Sequence, residues 1–365
     1  MEKIRGVSGS FPKPPYFSTA TKYLVLTLFV IILFILFSSG FGIFDLFKDK
    51  SVSEENYCGD GTSYNSCSLI KPYFCLNGSL IENSSQCECY EKQIKQGEFC
   101  LSFYQTRPKE IKMEYILNGE INYLNFTVYE GFVNYLSGIS KSITYFGEEF
   151  PSRVEFKLKN IDEEEQRKML RPLVIKIQNI TSNKEDQIRI AISLVQNIPY
   201  GNSNETMMFG NHKINYSRYP YEVLYDMGGV CGEKTDLLAF LLKEMGYGVS
   251  FFYYPEENHE ALGIKCPLQE SLEKSGYCFV ETTGPAILTD NEIYYVGIGR
   301  LSSSPEIYLI KNGESIGENF REYKDAKKLI RIRKFIEKNG WLGPIRERIF
   351  EDIKKEYGLA EEYYG

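Results

Sequence analysis

Residues 24–44 carry no charge, and 21 helical residues at 1.5 Å each span roughly 30 Å, the thickness of a bilayer's hydrocarbon. The run lacks the polar face of a core helix and exceeds the apolar region of a cleaved leader. A single transmembrane helix is therefore expected, preceded by a tail over 1–23. Past it the apolar positions change period. Residues 111–116 and 121–128 flank Asn118-Gly119, and Leu124, Phe126 and Val128 alternate with polar neighbours, as in a hairpin closed by a tight turn. Helical spacing returns over 162–178, with a break expected near Pro172, and over 184–198, where Ile188, Ala191, Ile192 and Val195 recur before Pro199. Leu237, Leu238, Leu241, Leu242 and Met245 make a third stripe, ended by Gly246. Residues 247–254, 261–264 and 277–283 read as short strands. Ala326, Leu329, Ile330, Ile332 and Ile336, then Ile345, Ile349, Ile353 and Tyr357, form two amphipathic helices split at Asn339-Gly340 and restarted at Pro344.

Helices followed by successive short strands predict an α+β fold, with a helix packed on an antiparallel sheet. The chain divides into a tail (1–23), a membrane helix (24–44), a cysteine-rich module (56–102), an accessory β region (108–160), a main domain (161–310) and C-terminal helices (311–365). Of the nine cysteines, Cys58, Cys67, Cys75, Cys87, Cys89 and Cys100 crowd into that module. They predict three disulfides, with fifteen pairings open. A zinc site is the competing reading, disfavoured because Cys87-x-Cys89 is not the usual ligand spacing and the module has no histidine.

Charge sets the orientation. Lys3, Arg5, Lys13 and Lys22 precede the span against Glu2, whereas Asp45, Asp49, Glu54 and Glu55 outnumber Lys48 and Lys50 after it. The N-terminus is then cytoplasmic and the rest outside, in keeping with the cysteines and with sequons at Asn77, Asn83, Asn125, Asn179, Asn204 and Asn215. The balance of 42 basic and 49 acidic residues, net −7, leaves no large basic excess to neutralise phosphates and argues against a nucleic-acid partner. No phosphate-cradling loop or metal-ligand helix is present, so neither cofactor nor metal is expected.

The candidate chemistry lies in Gly228-Gly229-Val230-Cys231-Gly232-Glu233-Lys234, which opens the third helix. A cysteine at a helix start meets unpaired N–H groups and the positive end of the dipole, which favour a thiolate. The glycines would let a substrate carbonyl approach the sulfur. His259 is one of only two histidines and begins a strand whose small residues, Ala261 and Gly263, would leave room for the Cys231 helix. Glu281, an acid inside an apolar strand, is the candidate to orient His259, ahead of Asp290, Glu260 and Asn258. Cys231 is the odd thiol if Cys266 pairs with Cys278. Glu233 and Asp236 are assigned to capping and dipole pairing, although both would favour the protonated thiol.

The order Cys231, His259, Glu281, with the cysteine opening a helix after Gly-Val and the partners on consecutive strands, resembles the transglutaminase-like superfamily, which has a papain-type cysteine protease core. The likeness covers residues 184–290, including Ile198-Pro199-Tyr200 and Tyr219-Pro220-Tyr221-Glu222-Val223-Leu224. It departs at Glu260-Ala261-Leu262, where the family has an aromatic after its histidine, and at Glu281-Thr282-Thr283, where it has aspartate. The cysteine-rich module loosely resembles those of archaeal surface proteins. The superfamily likeness implies a cysteine peptidase, amidase or acyltransferase acting on a peptide or protein substrate through a thioester, with Cys231 as nucleophile, His259 as proton carrier and Glu281 as its orienter. It also suggests Gln196 or Tyr200 as an oxyanion donor. The alternative is a non-catalytic surface module of the same fold that binds peptide or envelope material.

Overall fold

The computed structural model describes residues 57–140, 143, 151–201, 206–209, 212–215, 217–295 and 299–359. The expected tail and membrane helix lie outside the described residues. Among those described, no helix is long and apolar enough to cross a membrane.

The cysteine-rich module holds two small hairpins, β1 (Tyr73–Leu76) with β2 (Ser79–Glu82) and β3 (Ile94–Gln96) with β4 (Phe99–Leu101). Its disulfides are Cys58–Cys75, Cys67–Cys87 and Cys89–Cys100. All six thiols are thereby consumed, which overturns the zinc alternative. So small a module buries little by itself. Its cluster of Cys58, Tyr73, Cys75 and Leu80 is completed by Ile175 from a helix of the main body, and the Asn179 amide bonds both backbone groups of Leu80 at 2.9 Å.

β5 (Pro108–Leu117) and β6 (Glu120–Tyr129) pair antiparallel. The turn between them has positive φ at Asn118 (54°) and Gly119 (73°), the conformation an Asn-Gly turn takes most readily. Ile111, Met113, Leu124, Phe126 and Val128 are buried in the same core as the central helices. The following residues turn helical, as α1 (Glu130–Gly138), α2 (Arg153–Ile161), α3 (Glu164–Ile180) and α4 (Lys184–Gln196). α3 passes Pro172 without the expected break. An interior proline costs ~3 kcal/mol, but Met169, Leu170, Leu173, Val174 and Ile177 are buried on both sides of it, each stabilising by about 1.5–3 kcal/mol.

A short hairpin, β7 (Thr206–Phe209) and β8 (His212–Asn215), leads to α5 (Pro220–Asp226) and α6 (Cys231–Glu244). Then come β9 (Val249–Tyr254), β10 (His259–Lys265), β11 (Tyr277–Val280), the two-residue β12 (Tyr294–Tyr295) and β13 (Gly299–Arg300), and β14 (Glu306–Lys311). The main sheet is antiparallel in the order β11-β10-β9-β14, and Cys266–Cys278 staples β10 to β11. The fold is thus mixed α+β with a disulfide-rich module.

Strand alternation sends Val249, Phe251, Leu262 and Ile264 into the core containing α6. Phe252, Tyr254, Ala261 and Phe279 face instead Ala326 and Leu329 of α7 (Arg321–Asn339) and Ile353 of α8 (Pro344–Tyr357). Ala261 and Gly263 are therefore small for a different reason than expected. They lie on the face away from α6. A Cβ at Gly263 would stand 2.8 Å from the Phe252 ring, which lies parallel to Phe279 at 6.3 Å. In α8, Ile353 is buried while Ile345, at the start of the same stripe, is 78% exposed.

Candidate active site

Cys231 is the first residue of α6 and the only free cysteine among the described residues. Val230 donates its N–H to Glu233 Oε2 at 3.1 Å, closing the helix start. Glu233 is buried, and Arg218 meets it at 2.8 Å. Burial would raise the Glu233 pKa, but Arg218 and the Val230 N–H hold it below the usual carboxylate range. One helical turn from the sulfur, Asp236 Oδ1 lies 2.8 Å from Lys157 Nζ. Burial pushes Lys157 down, yet Asp236 and Glu260 hold it above the usual lysine range. Arg218 thus pairs with Glu233, while Lys157 is shared between Asp236 and Glu260, and burial still raises the Asp236 pKa to about 7.

The glycines here serve packing. A Cβ at Gly232 would stand 3.2 Å from Lys157 Nζ, and one at Gly229 the same distance from Lys234 Cγ and Val223 Cγ1. At Gly229 and Gly232 the expectation that the glycines clear a path for substrate is corrected accordingly, whereas a Cβ at Gly228 would meet only the Pro199 carbonyl, at 3.8 Å.

His259 opens β10 and is fully buried. Its Nε2 lies 2.9 Å from Glu281 Oε2, so Nδ1 is the nitrogen left for Cys231, whose side chain is a hydrogen-bond partner of the ring. Glu281 directly follows β11. Its Oε1 accepts from the Thr282 N–H (2.9 Å), the Thr283 N–H (2.8 Å) and the Thr283 hydroxyl (2.8 Å). Those donors hold the longer glutamate side chain in the turn. Burial pushes the His259 pKa down, but Glu281 and then Cys231 outweigh it and raise it to about 10. Burial pushes Glu281 up, and His259 with Thr283 brings it down to about 2. The arrangement favours a carboxylate and an imidazolium. Cys231 is partly exposed while its two partners are buried, which leaves the sulfur as the accessible end of the relay.

The structure thus brings together Cys231, His259 and Glu281. The other orienter candidates are engaged elsewhere. Asp290 bonds Arg333 at 2.7 Å. Glu260 meets Arg153 at 3.1 Å and Lys157 at 2.5 Å. Asn258 occupies the left-handed position (φ 47°) of the β9–β10 turn. Gln196 is corrected as an oxyanion donor, because its amide donates to the Glu281 and Ala286 carbonyls at 2.9 and 3.0 Å. Tyr200 bridges to Gly229, two residues before the nucleophile, and is 47% exposed. Burial and then the Cys231 charge raise its pKa.

Sequence reasoning passed over Lys157, Arg218, Lys234 and the Thr282-Thr283 donors. Lys234 left one signal, an ammonium one turn from the nucleophile in a helix that becomes almost wholly apolar. Among the described residues no group of three or more His, Cys, Asp or Glu side chains is placed to hold a metal ion. No protein-family model matches the chain, and no curated protein matches it.

Proposed function

We propose that the protein is a membrane-anchored, outward-facing cysteine enzyme of transglutaminase-like fold that acts on amide bonds, as a peptidase or amidase. The carrying observation is the buried His259–Glu281 pair, with the Cys231 thiol as the ring's other partner at a helix start. The thiolate attacks the amide carbon, forming a C–S bond while the carbonyl electrons move to oxygen. That oxyanion falls near the Cys231 N–H at the helix terminus and the Tyr200 hydroxyl. As the C–N bond breaks, the imidazolium gives its proton to the departing amine and leaves a thioester. Neutral His259 then takes a proton from water, hydroxide adds to the thioester, the carboxylic acid departs and the thiol is regenerated. Glu281 keeps the Nε2 proton in place throughout, so that Nδ1 exchanges protons with sulfur.

Disulfides at four sites support an oxidising, extracellular location. With an activated acyl amino-acid ester, acid-quenched protein should carry one acyl group on Cys231, released by hydroxylamine and missing in Cys231→Ala. If Cys231 neither acylates nor reacts with iodoacetamide faster than a free thiol, the reading fails. A C-terminal tag protected from external protease in intact cells would end the topology.

A further inference from the structure

We propose that Lys234 is a positioning residue of the thiol site, an internal cation that holds the nucleophile helix, the Tyr200 segment and the Glu281 turn in one register and balances the Glu281 charge. The proposal rests on the Cys231 reading above and adds to it a residue that touches neither sulfur nor substrate.

Lys234 stands three residues after Cys231 and is fully buried. Its Nζ donates to the Ile198 carbonyl at 2.6 Å, the Thr283 carbonyl at 3.0 Å and the Gln196 carbonyl at 3.3 Å. Gln196 is the last residue of α4 and Ile198 follows its cap, just before Tyr200, at the negative pole of that helix. Thr283 is the residue whose N–H and hydroxyl hold Glu281 Oε1. The ammonium therefore grips by its carbonyl the same residue that grips the orienting carboxylate. Gly229 makes room for the lysine stem and bridges Tyr200. One side chain thus joins all three segments of the site.

Charge explains why a lysine rather than a leucine is there. A buried ammonium facing only carbonyls is costly. On its own helix, Glu233 is engaged by Arg218 and Asp236 by Lys157. The α4 terminus offers only carbonyls. Burial pushes the Lys234 pKa down to about 7, and from the β11 side Glu281 is the charge that opposes this, so below neutral pH the side chain remains an ammonium. As an ammonium, Lys234 offsets the Glu281 carboxylate in a buried site, where a low dielectric makes each charge count.

The test is the rate of Cys231 alkylation by iodoacetamide across pH in the full-length protein in detergent micelles, read by mass on the Cys231 peptide. Wild type, His259→Ala, Lys234→Met and Gly229→Ala are compared, with Tm recorded for each. Wild type should label fast well below the free-thiol range, and His259→Ala should lose that limb. Lys234→Met should move the acidic limb up by about one pH unit, with a roughly tenfold lower rate beneath it. Gly229→Ala keeps the lysine but presses on its Cγ, so it should shift the same way by a few-fold, and it serves where Lys234→Met does not fold. A wild-type midpoint in both variants overturns the proposal, even if Tm falls, because that marks a merely structural lysine. Slow labelling of the wild type, unchanged by His259→Ala, sinks the enzyme reading instead and takes this one with it.

Discussion

The exchange that separates the proposed mechanism from a buried structural cluster most sharply is Glu281→Gln, because the surroundings dictate which way the amide must point. Oε1 of Glu281 receives three donors from Thr282 and Thr283, so the glutamine oxygen is forced to that side and its NH2 faces His259. Nε2 must then accept instead of donate. The neutral ring carries its proton on Nδ1, the nitrogen that would have taken the thiol's. The magnitude follows from the proton affinity the site confers. The His259 pKa rises from 6.5 to about 10, roughly 5 kcal/mol for a buried ring at about 1.4 kcal/mol per unit, and Glu281 is the largest of the raising causes. Losing most of that, with the wrong tautomer, should lower turnover by about 10³- to 10⁴-fold. The assay is pre-steady-state acylation by an activated ester together with alkylation as a function of pH. Glu281→Gln should label as an ordinary thiol does, only as pH approaches about 8.5. If it keeps the wild-type acidic limb, the carboxylate is not orienting His259 and the proposed triad is wrong.

Three further outcomes are expected. The same pair makes stability depend on pH, with the sign set by each shift. The raised His259 pKa contributes fully below 6.5 and fades as pH climbs to about 10, while the lowered Glu281 pKa contributes fully above 4.5 and fades as pH falls to about 2. The Tm gap between wild type and His259→Ala should therefore be widest between those inner limits and close on either side; a gap that grows toward alkaline pH contradicts the assignment. Gly232→Ala would bring a Cβ to 3.2 Å from Lys157 Nζ and 3.5 Å from Glu260 Oε1, so chemical denaturation should show a loss of about 1–3 kcal/mol, and an unchanged midpoint would mean the cluster yields freely. Replacing Cys266 and Cys278 together opens a link spanning a sequence separation of 12, which should lower unfolding free energy by about 3 kcal/mol while Cys231 remains singly labelled. A second labelled thiol in the oxidised wild type would show that the pair is not formed.

Features that rest on local pattern are readable from residue order alone. The Asn118-Gly119 turn is legible because only a few residues tolerate positive φ at two successive positions, and the alternation of Leu124, Phe126 and Val128 follows from a strand's period of two. The helix beginning at Cys231 and ending at Gly246 was written in its leucine spacing and terminal glycine. His259 and Glu281 stood out because a rare imidazole and a buried acid are conspicuous among apolar neighbours. Pairings between residues distant in the chain emerge only on folding. Asp290 and Glu260 stand as runners-up to Glu281 until Arg333 and Lys157 are seen to engage them. Gln196 can serve as an oxyanion donor until its amide is found bonded to carbonyls near residue 281. The choice among fifteen cysteine pairings depends on which Cα atoms folding brings within reach, and the continuity of α3 through Pro172 depends on apolar burial that outweighs one lost hydrogen bond. The charge balance around Cys231 belongs to this second kind as well. Arg218, Lys157 and Lys234 reach the site from three directions, and only the packed core puts each cation beside the acid or carbonyl it serves.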